Sequence, residues 1–224
     1  MQRQAATSKG LLRRLGDLGL GLVREPRVSA KVDYPLDLML TALVVGMVTS
    51  SRSLRDVERR TGQIARNPEA GLSITTKIAD NTFGKVLPRL ALGDLVSCLQ
   101  RMVKAEHRRG NLKPRALPVG TVAIDGKNVA TLHWRDLCRV LKLKHHTARP
   151  AQVKALLAKR YPEVQLCIPD NGLPYALARV HTVTLISSDA AVCIHQRPTL
   201  GHTNEVGSMP ELLEEVHFDY VRTA

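Results

Sequence analysis

Paired cysteines, long apolar runs and acidic residues are all scarce in this sequence, and each scarcity removes a class of protein. Cys98, Cys138, Cys167 and Cys193 are scattered, with no Cys-x-x-Cys pair and no histidine at zinc-finger spacing. They read as buried thiols in a reducing compartment, which argues against a disulfide framework or a zinc site. The longest apolar stretch, Leu36 to Val48, contains Asp37 and falls short of a membrane span. Met1 to Gly10 is polar and lacks the apolar centre of a secretion signal. No Gly-rich Walker loop occurs, which disfavours an ATPase, and there is no internal repeat or low-complexity tract. The expectation is a cytoplasmic protein with no membrane partner.

The shortage of acids is the most informative. Across 224 residues, 33 Lys/Arg face 20 Asp/Glu, a net charge of +13, while 44% hydrophobic content marks a globular chain. A protein this basic is drawn to a polyanion, nucleic acid first. Residues 1–115 hold 21 Lys/Arg against 10 Asp/Glu, whereas residues 116–224 hold 12 against 10. The first half therefore reads as the polyanion-binding part.

That half also reads as all-helical. Leu11 to Val23 predicts a short basic helix, with the first ten residues frayed, and Pro26 follows as a breaker. Leu36, Met39, Leu40, Leu43, Val44 and Met47 form a wide apolar stripe, so this helix belongs to a core. Ser53 with Asp56 resembles a capping box opening a helix from Leu54 to about Ala65. Arg55, Arg59 and Arg60 lie along it, either as a solvated face or as phosphate contacts. Asp80 is expected to cap a short helix through Leu87. Leu92, Leu95, Val96, Leu99, Met102 and Val103 predict another, ended by Gly110 and made cationic by Arg101, Lys104, Arg108 and Arg109. The pattern places a helical domain at 1–112 and a second domain at 113–224.

The second domain opens on Thr121-Val122-Ala123-Ile124-Asp125-Gly126-Lys127, read as a strand ending in a carboxylate where Gly126 turns the chain away. An Asp at a buried strand's end can help hold a hard cation through oxygen ligands. Trp134 to Pro169 reads as a polar, basic insertion with one helix, Ala151 to Arg160. Leu177 to Ser187 and Ala191 to Gln196 predict a hairpin around Ser188-Asp189-Ala190. Met209 to His217 predicts a helix, and Phe218 to Val221 a new strand. His145-His146 reads as a surface pair, and His181, His195 and His202 do not fall at ligand spacings. With Ser abundant throughout, no nucleophile–base pair stands out.

Several segments together resemble bacterial insertion-sequence transposases of the DDE type, in the subgroup that includes the H-repeat-associated proteins. They are Glu25-Pro26-Arg27, Tyr34-Pro35-Leu36, Ser53-Leu54-Arg55-Asp56-Val57 and Ala79 to Leu87. In the second domain they are Ala123-Ile124-Asp125-Gly126-Lys127, Gly172-Leu173-Pro174-Tyr175 and Thr203-Asn204-Glu205-Val206-Gly207-Ser208-Met209-Pro210. The resemblance implies an α+β or α/β protein, with the helical DNA-binding domain followed by an RNase H-like domain. It implies DNA, the element's terminal repeats, as partner, a second copy or a full-length transposase as another, and a nucleoid-associated location. In that family two Asp and a later Glu hold two Mg²⁺ ions. Phosphodiester cleavage needs an activated oxygen and a stabilised leaving oxygen, which two metals roughly 4 Å apart supply.

Asp125 matches the first of those carboxylates and is the expected catalytic metal ligand. Lys127 is either a phosphate contact or a solvated lysine. Asn204 and Glu205 match the family's Asn-Glu motif, where Glu205 is read as a helix-start carboxylate or a DNA-facing one. The second family Asp is expected at or just beyond Ala224, with Asp219 too early in its strand to replace it. The expectation is thus a transposase polypeptide cut short within its catalytic core and unable to cut DNA. The alternative is a non-catalytic DNA-binding remnant.

Overall fold

The computed structural model describes residues 2–28, 30, 32–67, 71–114, 120–187, 191–199 and 205–216, with the side chains of 2–9 and Glu205 outside the description. The chain divides into two compact units, Met1–Glu106 and His107–Ala224. The boundary expected from the sequence lies a few residues later, in 110–114.

The first unit is built from helices α1 (Gln2–Leu18), α2 (Leu36–Val48), α3 (Leu54–Ala65), α4 (Asp80–Val86) and α5 (Leu92–Arg108). Helix α1 begins well before Leu11, and Leu20–Leu22 is a separate 3-10 turn after Gly19, which takes a φ of 60°. Helix α2 places Leu36, Met39, Leu40, Ala42 and Val45 in the interior, and all but Val45 share a core with Val57, Ile74, Ile78 and Phe83. A Cβ at Gly46 would stand 2.8 Å from Val57, so only glycine lets α2 approach α3 this closely. Ser53 caps α3 by accepting from the Asp56 N–H at 3.1 Å. Asp80 is the first residue of α4 and not its cap; Ala79 occupies the cap position, without a side-chain bond.

Thr61 joins α3 to the chain that precedes α4. It is 1% exposed, donates to the Glu58 carbonyl at 2.7 Å and accepts from the Ile78 N–H at 3.0 Å. An N–H stranded in a core costs more than an average hydrogen bond contributes, so this hydroxyl fixes where Lys77 and Asp80 lie against α3.

The second unit is a four-stranded antiparallel sheet with helices, an α+β arrangement. Its elements are β1 (Val122–His133), α6 (Trp134–Val140), α7 (Pro150–Arg160), β2 (Val164–Cys167), β3 (Tyr175–Leu185), β4 (Val192–Pro198) and α8 (Glu205–Glu215). Strand β3 is the hub. Strand β1 runs along one side of it for its whole length, while β2 and β4 take the two halves of the other side. The predicted hairpin corresponds to β3 and β4; its turn, 188–190, lies outside the described residues, as does Phe218–Val221.

Two expectations fail here. The strand does not end at Asp125, because Gly126 pairs with His181 and the chain continues to His133 opposite Tyr175. Lys127 to His133 keeps an extended, β-compatible pattern that β3 can pair, and one glycine does not outweigh that ladder. A register shift between Asn128 and Ala130 leaves Val129 as a bulge. It restores parity, so Leu132 lies over the core formed by Trp134, Leu137, Cys138, Leu141, Val153, Leu157 and Ala176. The expected polar insertion is likewise ordered, contributing α6 and β2 in addition to α7. Helix α8 also starts four residues earlier than Met209 and carries Pro210 within it.

Replacing Thr61 by Val keeps the shape and removes the acceptor. The expected result is a loss of about 1–3 kcal/mol in urea unfolding of the full chain, from the stranded Ile78 N–H. A variant as stable as the parent would show that the hydroxyl does not organise this region.

Candidate nucleic-acid interface

In the helical unit, the arginines grouped by the sequence separate into two roles. Arg60 turns inward, its Nε donating to Ser51 Oγ and its Nη2 to the Thr49 carbonyl, both at 2.7 Å. It thereby fastens the end of α2, where Ser50 takes a left-handed φ of 58°. A cation beside a helix's last carbonyls is favourable for the fold, so Arg60 is a structural residue. Arg101 behaves similarly, donating to the carbonyls of Leu18 and Gly19 at the end of α1.

Arg55 and Arg59 stay exposed, and one residue past α3 the exposed Arg66 joins them, its Nε donating to the Gly62 carbonyl at 3.0 Å. With Lys77, Glu58, Gly62 and Asp80 they line an open groove of about 520 Å³. Glu58 organises it, accepting from Lys77 Nζ at 2.7 Å and from the Asp80 N–H at 3.2 Å. These two bonds, the Lys77 one first, hold the Glu58 carboxyl below its ordinary range. Arg59 pairs with Asp56 at 3.2 Å, while Arg55 closes no ion pair among the described residues. The sequence missed Arg66 and Lys77: Arg66 follows the helical period one residue past α3, but Lys77 arrives from a separate segment.

In the sheet unit, Asp125 stands in the first half of β1, not at a strand tip. It is 61% exposed, with Lys127 Nζ 3.8 Å from its Oδ2, and its backbone lies opposite Thr182. No described strand pairs with the other side of β1, so among the described residues it is an edge strand. Asp125 and Lys127 share a sheet face with Thr182 and Thr184, at the end that α6 and α7 leave open. Among the described residues, no three His, Cys, Asp or Glu side chains come together to hold a metal ion. Asp125 by itself does not fit Mg²⁺, which keeps most of its waters unless several oxygens replace them. Asn204 lies outside the described residues. Glu205 is the first residue of α8, four residues before the helix start expected at Met209.

The opposite sheet face brings together groups that the sequence leaves separate. His181, 1% exposed, is hydrogen bonded through Nδ1 to Ser208 Oγ of α8. His195, also buried, meets Glu215 at 3.1 Å, and Arg197 bridges Glu211 and Glu215. A cavity of about 140 Å³ lies beside them, lined in part by Glu163, His181, Thr199 and Ser208. These polar pairs fasten α8 to the sheet, and their partners come from separate elements, beyond any local motif.

In comparison with known proteins, no family model, curated protein or solved structure matches the chain. No described helix is long and apolar enough to cross a membrane.

The groove's dependence on Glu58 has a pH consequence. Its carboxyl titrates below the ordinary value of 4.5 in the folded chain. The stability it contributes is therefore present above that value and lost as pH falls through the lower folded one. Thermal unfolding followed from pH 7 to pH 3 should show a shallower acid decline in Glu58→Gln than in the parent. Parallel declines would contradict the assignment.

Proposed function

We propose that this protein binds DNA through the α3 groove, as a polypeptide of the DDE transposase type. The observation that carries the reading is the exposed row Arg55, Arg59 and Arg66, with Lys77 opposite, in a groove whose Glu58 carboxylate is already paired. Guanidinium groups set along an exposed helix can bridge successive phosphate oxygens and release condensed counterions. The segment resemblance adds support, because it spans both units. The antiparallel succession β1, β3, β4 followed by α8 is compatible with the opening of an RNase H-like domain.

On this reading Asp125 is the first acid of the metal site, and Mg²⁺ would supply the activated oxygen for phosphodiester chemistry. Holding the ion requires carboxylates beyond those described, and cleavage would depend on them. The exposed setting of Asp125, with Lys127 as its charged neighbour, favours the second reading, a DNA-binding protein that occupies element ends without cutting them. Asp125→Asn should then leave DNA affinity unchanged.

Fluorescence anisotropy with a labelled duplex tests the binding. The triple variant R55Q/R59Q/R66Q should bind more weakly and flatten the log–log salt dependence by about 2–3, near 0.9 for each lost phosphate contact. Arg60→Gln should instead lower the unfolding midpoint. Wild-type protein that does not bind duplex at low salt would refute the proposal.

A further inference from the structure

The modest charge of the second half conceals a strong separation. Residues 134–160, which include α6, the loop after it and α7, hold eight Lys/Arg against one Asp. The rest of 116–224 holds four against nine. We infer that the loop joining α6 to α7 is a second phosphate-backbone contact surface for nucleic acid, carried by Lys142, Lys144, His145, His146 and Arg149. The inference rests on the nucleic-acid reading above and assigns it an additional, independent surface.

The loop is ordered by its own apolar residues. Leu141 is 3% exposed, and Leu143 and Ala148 pack against the core of α6 and α7. Trp134, the chain's single tryptophan, donates its Nε1–H to the His145 carbonyl at 3.1 Å. Leu143 N–H returns to the Cys138 carbonyl at 2.8 Å, and Ala148 N–H to that of Lys144 at 2.9 Å. With the apolar side chains turned inward, Lys142, Lys144, His145, His146 and Arg149 are all exposed.

These cations have no evident structural task. Lys159 and Arg160 sit in the last turn of α7, where they complement the helix dipole, and Arg139 pairs with Asp136 at 2.9 Å. Lys142, Lys144 and Arg149 close no ion pair among the described residues. Lys142 holds a left-handed φ of 59°, a conformation that favours glycine. Arg149 occupies the cap position before α7 without a side-chain bond, and the first turn holds no acid. A cation there opposes the dipole, so the fold alone gives no reason for it. An anionic backbone laid across the loop would offset both charges. Because the loop is already fixed, ordering it adds little cost to binding.

The test is duplex binding by the full chain across salt concentration, comparing K142Q/K144Q/R149Q with the charge-matched variant K154Q/K159Q/R160Q. The expected result is a salt slope flattened by about 2–3 in the loop variant and a clearly smaller change in the other. Trp134 emission should change on duplex addition in the wild type and respond less in the loop variant. Matching circular dichroism spectra and melting curves would establish that both variants fold. Equal changes in the two variants, or none in the loop variant, would overturn the surface and leave the α3 groove standing if R55Q/R59Q/R66Q still loses affinity. Retained duplex binding with lost sedimentation on phosphatidylserine vesicles would overturn it in favour of a membrane. Wild-type protein without duplex affinity would remove both surfaces together.

Discussion

The pairing of carboxylates governs this molecule. In the helical unit Glu25, Asp56, Glu58, Asp94 and Glu106 each hold a cation, respectively Arg27, Arg59, Lys77, Arg24 and Arg14. Several have a second task in accepting backbone N–H groups, as Glu58 does from Asp80 and Asp94 from Arg24. Exposed pairs of this kind add little stability individually. Their effect is positional: they fix a few cations and leave the excess facing water. In a chain with so few acids, that excess has to be met by counterions or by a polyanion.

The same division runs through the second unit at larger scale. Helix α8 concentrates acids, and its Glu211 and Glu215 bind Arg197 and His195. Cations gather instead on α6, α7 and the loop between them. The bulge at Val129 lets one strand serve two settings. Before it, β1 carries Asp125 and Lys127 on an open face; after it, Leu132 reaches the core beneath α6 and α7. Without the extra residue, one of the two halves would present its apolar side to water.

Local chemistry was legible wherever a structure depends on neighbours within one or two turns. The apolar stripe from Leu36 to Val44, the Ser53–Asp56 cap and the end of α5 near Gly110 could all be read in this way, whereas Met47, expected in the same stripe, is 73% exposed. The β3–β4 pairing was also readable from its alternation and its turn residues. The limits of β1 were not, because a glycine is a weak stop signal when a long partner strand is waiting. Helix α6 and strand β2 were hidden for a related reason: each is too short to show a period and gains its order from packing against β3 and α7.

The sequence by itself determined the basic character of the chain, the helical first unit, the mixture of strands and helices in the second and the identity of the candidate acid at Asp125. Only the tertiary structure decided which cations face outward. Arg60 lies next to Arg59 in the chain yet binds the end of α2, while Lys77, from another segment, completes the groove. It also placed Asp125, exposed, in a strand that is an edge among the described residues, and set Ser208 against His181. A side chain's partner is fixed by packing between distant segments, and no spacing along the chain encodes that distance directly.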